Sequence, residues 1–100
     1  MREATINDML ILAGKIADLP VEDMPHAAEA YIRNAHYADS YRKRTGCVHA
    51  GFGNGTLSGA VFADGSHAQH RRSSDPAFLR AVSVVCTLLA ERAERHQRAA

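Results

Sequence analysis

The sequence predicts an all-α fold, a small helical bundle of three longer helices and one short helix. Apolar residues recur at helical spacing in separate segments, and residues that favour helix ends stand at the borders of those segments. The predicted helices cover about residues 5–19, 25–45, 56–63 and 76–97. A chain of 100 residues has the length of one domain, so we expect a single helical domain over residues 1–100.

The first helix is predicted to begin at Thr5. Asp8 follows three residues later, which resembles a capping box with Asp in place of the usual Glu. Pro20 ends the helix, because the residue before a proline is pushed out of the α region and proline has no N–H to donate. The apolar stripe expected to face the core is Ile6, Met9, Leu10, Ala13, Ile16 and Ala17.

The second helix is predicted to begin near Pro25, after the short acidic connection 21–24. It ends with the basic run 42–44 at the negative end of the helix dipole, and Gly46 is expected in the left-handed conformation that often follows a helix. Its stripe of mostly small residues allows another helix to pack closely. These residues are Ala28, Tyr31, Ile32, Ala35 and Ala38.

A glycine-rich connection, 46–55, joins the second helix to the short one. Five of the seven glycines fall between Gly46 and Gly59, and the connection carries neither a helix nor a strand pattern. Glycine is used where the backbone takes a positive φ or makes a close approach, so a specific loop shape is required here. Asn54-Gly55 is a strong turn signal, and Thr56 is predicted to cap the short helix.

The last helix is predicted to begin at Asp75-Pro76, an N-cap residue followed by proline at the first helical position. The preceding polar segment, 64–75, is expected to be an exposed, mobile loop. Residues 91–98 are polar on nearly every side, so the end of the helix is expected to project beyond the core or to fit a partner. The predicted core face is Phe78, Leu79, Val82, Val85, Cys86 and Leu89.

The charge is nearly balanced overall, at +1, but not along the chain. Residues 1–39 carry three Lys/Arg and seven Asp/Glu, whereas residues 40–100 carry nine and four. Such an asymmetry marks either an electrostatic contact surface or two faces of one domain that complement each other. The apolar residues lean on alanine, with three Phe, three Tyr and no Trp, so a marginal monomer that gains stability from a partner is expected.

The two cysteines, Cys47 and Cys86, are far apart and do not form a secreted disulfide framework, which favours a reducing compartment. Cys86 is interpreted as a buried small hydrophobic residue. The densest apolar run, 9–13, is too short for an export signal or a membrane span. We therefore predict no membrane partner.

Four residues of the types that bind zinc flank the short helix as C-x-H and H-x-x-H pairs. They are Cys47, His49, His67 and His70. C-x-H is not a standard zinc half-site, and loop histidines are as readily solvated. We predict no metal and no cofactor, with these four residues as weak candidates.

Catalysis lacks a recognisable constellation. A nucleophile needs a base and an orienting group on a rigid scaffold, whereas Ser58 lacks the G-x-S-x-G elbow and Cys47 shares only a loop with His49. The run 51–59 lacks the preceding strand and the Lys-Ser/Thr of a phosphate loop. The sequence predicts a protein that is not an enzyme.

Nucleic-acid binding is the alternative. Arg42, Lys43 and Arg44, together with the arginines of 71–72 and of the last helix, supply cations for phosphates. The near-zero net charge, the acidic first half and the absence of a helix-turn-helix spacing oppose it. A small helical nucleic-acid-binding or regulatory protein that uses Arg42, Lys43 and Arg44 therefore stays as the second hypothesis.

Residues 41–57 carry a pattern close to Y-R-[RK]-R-x-G-x-x-H-P-x-[WF]-G-[ND]-G-[ST]-L, and Asp75-Pro76 opens the last helix. In these features the chain resembles a family of small uncharacterised alphaproteobacterial proteins associated with gene-transfer-agent particles and related tailed phages. The resemblance covers about half of the chain. One departure is Ala50, which stands where the family tends to have proline.

The resemblance implies a non-enzymatic component of a phage-like particle, at a capsid vertex, a spike base or a head-tail connection, that acts by oligomeric docking. The implied partners are copies of itself and capsid, spike or tail proteins, and the implied location is the cytoplasm during assembly and then the particle. The residues expected to contact neighbours are Tyr41, Arg42, Lys43, Arg44, Gly51, Phe52, Gly53, Asn54 and Gly55.

Overall fold

The structure is a computed structural model that describes residues 1–65 and 73–99. In that part of the chain, α1 spans Ile6–Ile16, α2 spans Met24–Thr45, α3 spans Leu57–Phe62 and α4 spans Pro76–Ala99. A 3-10 turn, Val21–Asp23, connects α1 to α2. The described residues contain no β-strand, only an isolated bridge between His49 and Gly53. The predicted all-α class is confirmed.

The predicted helix ends agree with the capping contacts. The Thr5 hydroxyl accepts a hydrogen bond from the Asp8 amide at 3.1 Å, and the Asp8 carboxylate accepts one from the Thr5 amide at 2.9 Å. Thr56 caps α3 by accepting from the Gly59 amide at 3.0 Å, and Asp75 caps α4 by accepting from the Ala77 amide at 3.0 Å. The end of α1 was predicted too late, because the Leu19 amide bonds to the Ile16 carbonyl in a turn beyond the helix.

The core lies around α1 and α2, which pack against each other and each contact both the short helix α3 and the long helix α4. Its largest fully buried side chains are Leu12, Ile16, Met24, Leu57 and Val85. The small-residue stripe of α2 is confirmed, since Ala28, Ile32, Ala35 and Ala38 are all buried. Close packing against alanine allows these helices to approach one another in a protein with few aromatic residues.

The predicted core faces of α1 and α4 are correct in part, since Ala13, Ile16 and Ala17 of α1 are buried and Phe78, Val82 and Leu89 of α4 pack against the core. On α1, Ile6 and Leu10 are exposed, and Leu12 is buried instead. An α-helix turns by about 100° per residue, so a core line through Leu12 and Ile16 places Leu10 on the far side.

The same correction applies to α4. Cys86 is exposed and Leu79 is half exposed. Val85 is buried as predicted, and Ala81, which was not predicted, is buried as well. The interpretation of Cys86 as a buried residue was therefore wrong, and both Cys47 and Cys86 are free thiols at the surface. The buried face of α4 includes Ala81, a small residue that a pattern of large apolar side chains does not indicate.

Within residues 1–65 and 73–99, no helix combines the length and the apolar character needed to cross a membrane. The middle of the predicted polar loop, residues 66–72, lies outside the described residues and includes His67 and His70.

Candidate protein-interaction site

In the last turns of α2, Asp39 is a buried carboxylate on the side of the helix that faces the rest of the protein. Its side chain is 3% exposed, and its Oδ1 accepts a hydrogen bond from Arg42 Nη2 at 3.1 Å. Its Oδ2 lies 3.2 Å from Lys43 Nζ and 3.4 Å from the α-amino group of Met1. Burial alone would raise the pKa of Asp39, but hydrogen bonds from Lys43 and Arg42 outweigh burial and lower the pKa to about 2.

These contacts change the expected roles of the basic run. Arg42 and Lys43 were predicted to contact a partner, yet both already pair with Asp39 inside the chain. The residues at positions 39, 42 and 43 share a helix face because they stand three and four residues apart. Of the three cations in this run, Arg44 is the one that does not pair with Asp39.

At Gly55, the glycine-rich connection lies directly against the backbone of Asp39. Its φ is +93°, and a Cβ added there would lie 2.9 Å from the Cα of Asp39, closer than real Cβ contacts allow. The Gly55 carbonyl also accepts a hydrogen bond from the Arg2 amide at 2.9 Å. Gly55 therefore joins the connection to α2 and to the N-terminal segment.

Asp8 anchors the start of α3, just beyond the same end of the connection. Besides capping α1, its carboxylate accepts hydrogen bonds from the Ser58 hydroxyl and, at 3.1 Å, from the Ser58 amide at the start of α3. Burial would raise the pKa of Asp8, but these hydrogen bonds and those from Thr5 lower it. Asn54 adds a local link, since its side-chain oxygen accepts from the Thr56 amide and hydroxyl. The C-terminal end of the connection is thus anchored to α1, to α2 and to the N-terminal segment.

His49 closes the connection into a tight loop. Its backbone exchanges two hydrogen bonds with Gly53, at 3.1 and 3.0 Å. Its Nδ1 lies 3.0 Å from the Gly51 amide and 2.9 Å from the Phe52 amide and accepts from both. Since Nδ1 accepts, the proton of the neutral ring is on Nε2.

This geometry does not favour the zinc hypothesis. A metal at Nε2 would move the ring proton to Nδ1 and break both amide contacts of His49. Cys47 is exposed, and His67 and His70 lie outside the described residues. Within residues 1–65 and 73–99, no group of three His, Cys, Asp or Glu side chains is placed to hold a metal ion.

Four rings cluster on the outward side of this loop. The rings of His49 and Phe52 are stacked, with centroids 4.7 Å apart and an interplanar angle of 9°. Tyr37 meets both rings edge-on, at 5.3 and 5.8 Å, and Tyr41 meets His49 edge-on at 5.0 Å. Such edge-to-face and offset arrangements are the favoured aromatic geometries.

The cluster is open to solvent and carries a cation. Tyr37 is 51% exposed and Val48 is 61% exposed. The guanidinium of Arg44 lies 5.8 Å from the centroid of the Tyr41 ring, within the range of a cation–π contact. We call this surface the aromatic patch. It consists of Tyr37, Tyr41, Arg44, His49 and Phe52, and we include the exposed Val48, which precedes His49 in the sequence.

The aromatic patch includes some predicted contact residues and omits others. Tyr41, Arg44 and Phe52 lie in it, whereas the predicted residues Gly51, Gly53, Asn54 and Gly55 build the loop that holds its rings in place. Tyr37 was missed, although its position four residues before Tyr41 on one helix face was a usable signal. Asp39 was missed as well, although it stands at the i,i+3 and i,i+4 positions of Arg42 and Lys43.

A groove of about 490 Å³ lies between the N-terminal segment, α2 and α4. His36 Nδ1 lies 3.2 Å from Arg92 Nη2 and 3.0 Å from the α-amino group of Met1. Burial and these two neighbouring cations lower the pKa of His36. Asp39 and Lys43 on the groove wall pair with each other, so much of its polar lining serves contacts within the chain.

No curated protein and no solved structure matches this chain. A family model described as a domain of unknown function, DUF7742, matches residues 2–89. The matched range holds α1, α2, α3 and the aromatic patch, and it ends at Leu89, a residue of α4 that packs against the core. The chain therefore belongs to the DUF7742 family.

Proposed function

We propose that this protein is a non-enzymatic interaction protein that docks onto other proteins through the aromatic patch. The observation that carries the proposal is an exposed ring cluster that is already ordered in the free chain. Tyrosine and arginine are enriched at the energetic centres of protein interfaces, and Tyr37, Tyr41 and Arg44 supply both. Because the loop holds the rings in place, docking requires little further ordering of side chains.

The polar groups around the patch support docking rather than catalysis. The two backbone amides of Gly51 and Phe52 use His49 Nδ1, the acceptor that a general base would need. The Ser58 hydroxyl donates to Asp8, which in turn caps α1. His49 and Ser58, two of the side chains weighed for catalysis, thus each have a structural partner.

The resemblance to gene-transfer-agent proteins extends the proposal to a particle. Residues of that pattern include Tyr41, His49 and Phe52 in the patch and Gly53 and Gly55 in its supporting loop. The protein would occupy a capsid vertex, a spike base or a head-tail connection, where it would contact capsid, spike or tail proteins and copies of itself. It would be cytoplasmic during assembly and part of the particle afterwards.

The ion pairs of Arg42 and Lys43 with Asp39 favour protein docking over nucleic-acid binding. The charges of these two cations already compensate a buried carboxylate, so less of that charge is available to neutralise phosphates. Arg44 is the remaining cation of the run, and its contact is with an aromatic ring.

Sedimentation of particles from the native host tests this proposal. The test variant combines Arg44→Glu with Val48→Ser, two exposed positions in the patch, and the matched control combines Arg80→Glu with Leu79→Ser on α4. We expect the wild type and the control to co-sediment with nuclease-treated particles and the patch variant to stay in the soluble fraction. Equal co-sedimentation of the patch variant would overturn the proposal. Association that disappears on nuclease treatment would favour the nucleic-acid alternative.

A further inference from the structure

A second exposed surface lies at the start of α2. We call residues 19–23 the acidic corner. Leu19 and Val21 are 39% and 49% exposed, and Glu22 and Asp23 are exposed beside them. No Lys or Arg in the described ranges 1–65 and 73–99 lies within ion-pair distance of Glu22 or Asp23.

The helix dipole accounts for only part of this surface. Acidic residues before a helix favour its positive N-terminal end, which explains Glu22 and Asp23 within the chain itself. It does not explain why two large apolar side chains, Leu19 and Val21, stand exposed on either side of Pro20. Apolar groups next to unpaired charge are the composition of an interface and its rim.

The acidic corner and the aromatic patch are complementary in charge, since the corner carries Glu22 and Asp23 and the patch carries Arg44. They cannot meet within one chain. They lie toward opposite ends of α2, a continuous helix from Met24 to Thr45. At 1.5 Å per residue, Asp23 and Tyr41 are separated by about 27 Å along the helix axis. A contact between the two surfaces therefore requires two molecules.

We propose that the acidic corner of one copy docks onto the aromatic patch of the next copy. Glu22 and Asp23 would face Arg44, while Leu19 and Val21 would cover the exposed side chains of the patch. This inference rests on the proposed function, because it names a second copy of this chain as an occupant of the same docking surface.

Because the two surfaces differ, the contact is head-to-tail and leaves one free patch and one free corner on every dimer. Such contacts continue into a ring when the rotation closes and into an open chain when it does not. Two small surfaces with a charged rim give a weak contact that depends on protein concentration and on salt.

Analytical ultracentrifugation of the purified full chain tests the pairing. The patch-blocked variant is Arg44→Glu with Val48→Ser, and the corner-blocked variant is Glu22→Gln with Val21→Ser, so that mixing them creates no reversed charge pair. We expect the mass of the wild type to rise beyond a dimer with concentration and to fall on addition of salt. Each blocked variant should stay monomeric, with self-association at least about tenfold weaker.

Mixing the two blocked variants is the decisive step. The patch-blocked chain keeps its corner and the corner-blocked chain keeps its patch, so an equal mixture should form a dimer that does not grow further. The control variant, Leu79→Ser with Arg80→Glu, should associate as the wild type does. Circular dichroism and an unchanged unfolding midpoint establish that each variant is folded.

Two results would overturn the inference. One is a wild type that stays monomeric up to about 1 mM, the range of very weak contacts. The other is a corner-blocked variant that self-associates as strongly as the wild type, which would mean that patches meet patches. In either case, loss of the patch variant from sedimented particles would still support the proposed docking function. Retention of that variant in particles would overturn the docking function separately.

Discussion

The inward and outward sides of the end of α2 use neighbouring residues for different purposes. Asp39, Arg42 and Lys43 point toward a buried ionic centre, whereas Tyr37, Tyr41 and Arg44 present rings and a cation to solvent. The first three positions share one face at spacings of three and four residues, and the other three share the next face at similar spacings. Consecutive basic residues on a helix therefore point to different sides of it, so Arg42 and Lys43 can form ion pairs within the chain while Arg44 faces solvent.

The largest expected loss of stability comes from a substitution at Gly55, which lies against Asp39 on the inward side of α2. Gly55→Ala should lower the free energy of unfolding by about 4 kcal/mol, because it adds a methyl group 2.9 Å from the Asp39 backbone and strains a positive φ. Gly46→Ala is the matched control, since Gly46 also has a positive φ, +77°, but an added Cβ meets nothing within 4 Å. Its cost should be about 1 kcal/mol. Urea unfolding measures both, and equal losses would mean that the close approach at Gly55 is unimportant.

Asp39→Asn should cost about 3 kcal/mol, because it leaves two cationic side chains around a neutral amide. The pKa of Asp39 is lowered from 3.8 to about 2 in the folded chain, so its stabilising effect is complete above the unfolded value and is lost as the pH falls through the folded value. The difference in unfolding free energy between wild type and variant should therefore narrow as the pH falls from 3.8 to about 2. Urea titrations at several pH values measure this, and a constant difference would contradict the role given to the charge.

His49→Phe tests whether the hydrogen bonds to His49 Nδ1 order the loop that carries the ring cluster. The ring stays available for stacking, but the acceptor of the Gly51 and Phe52 amides is lost, which should cost about 2 kcal/mol. Hydrogen exchange of these two amides should become faster, as measured by NMR. Tyr41→Phe is the control, because it keeps its ring and should change stability by less than about 0.5 kcal/mol. Unchanged exchange in His49→Phe would show that Nδ1 does not order the loop.

The helices and their ends could be predicted because their signals are local. Thr5, Thr56 and Asp75 cap the helices that follow them, and Gly46 ends α2 with a positive φ. Each of these signals depends on residues within one helical turn. Burial was harder to predict, because the contact line of a helix depends on its neighbours. Ala81 is buried and Cys86 is exposed, although the apolar pattern alone favoured the larger residue.

The site could be predicted only in part, for a related reason. The pattern of glycines and turn residues marked the loop, whereas Tyr41, Arg44 and Phe52 entered the predicted contact set through the family resemblance. The buried centre depends on contacts between distant parts of the chain, since Asp39 meets Gly55 and the N-terminal segment. No local spacing encodes those contacts. The spacing of Asp39 with Arg42 and Lys43 does distinguish these two cations from Arg44, but it does not show that the carboxylate is buried.

The most direct test compares Arg42→Gln with Arg44→Gln for both unfolding free energy and co-sedimentation with particles. Arg42→Gln should lose about 1 kcal/mol of stability, since its partner carboxylate is buried while the guanidinium is partly solvated, and it should still co-sediment. Arg44→Gln should keep wild-type stability and lose co-sedimentation. If Arg44→Gln remains bound to particles, or if both variants lose stability and binding together, the division between an inward structural side and an outward docking side is contradicted.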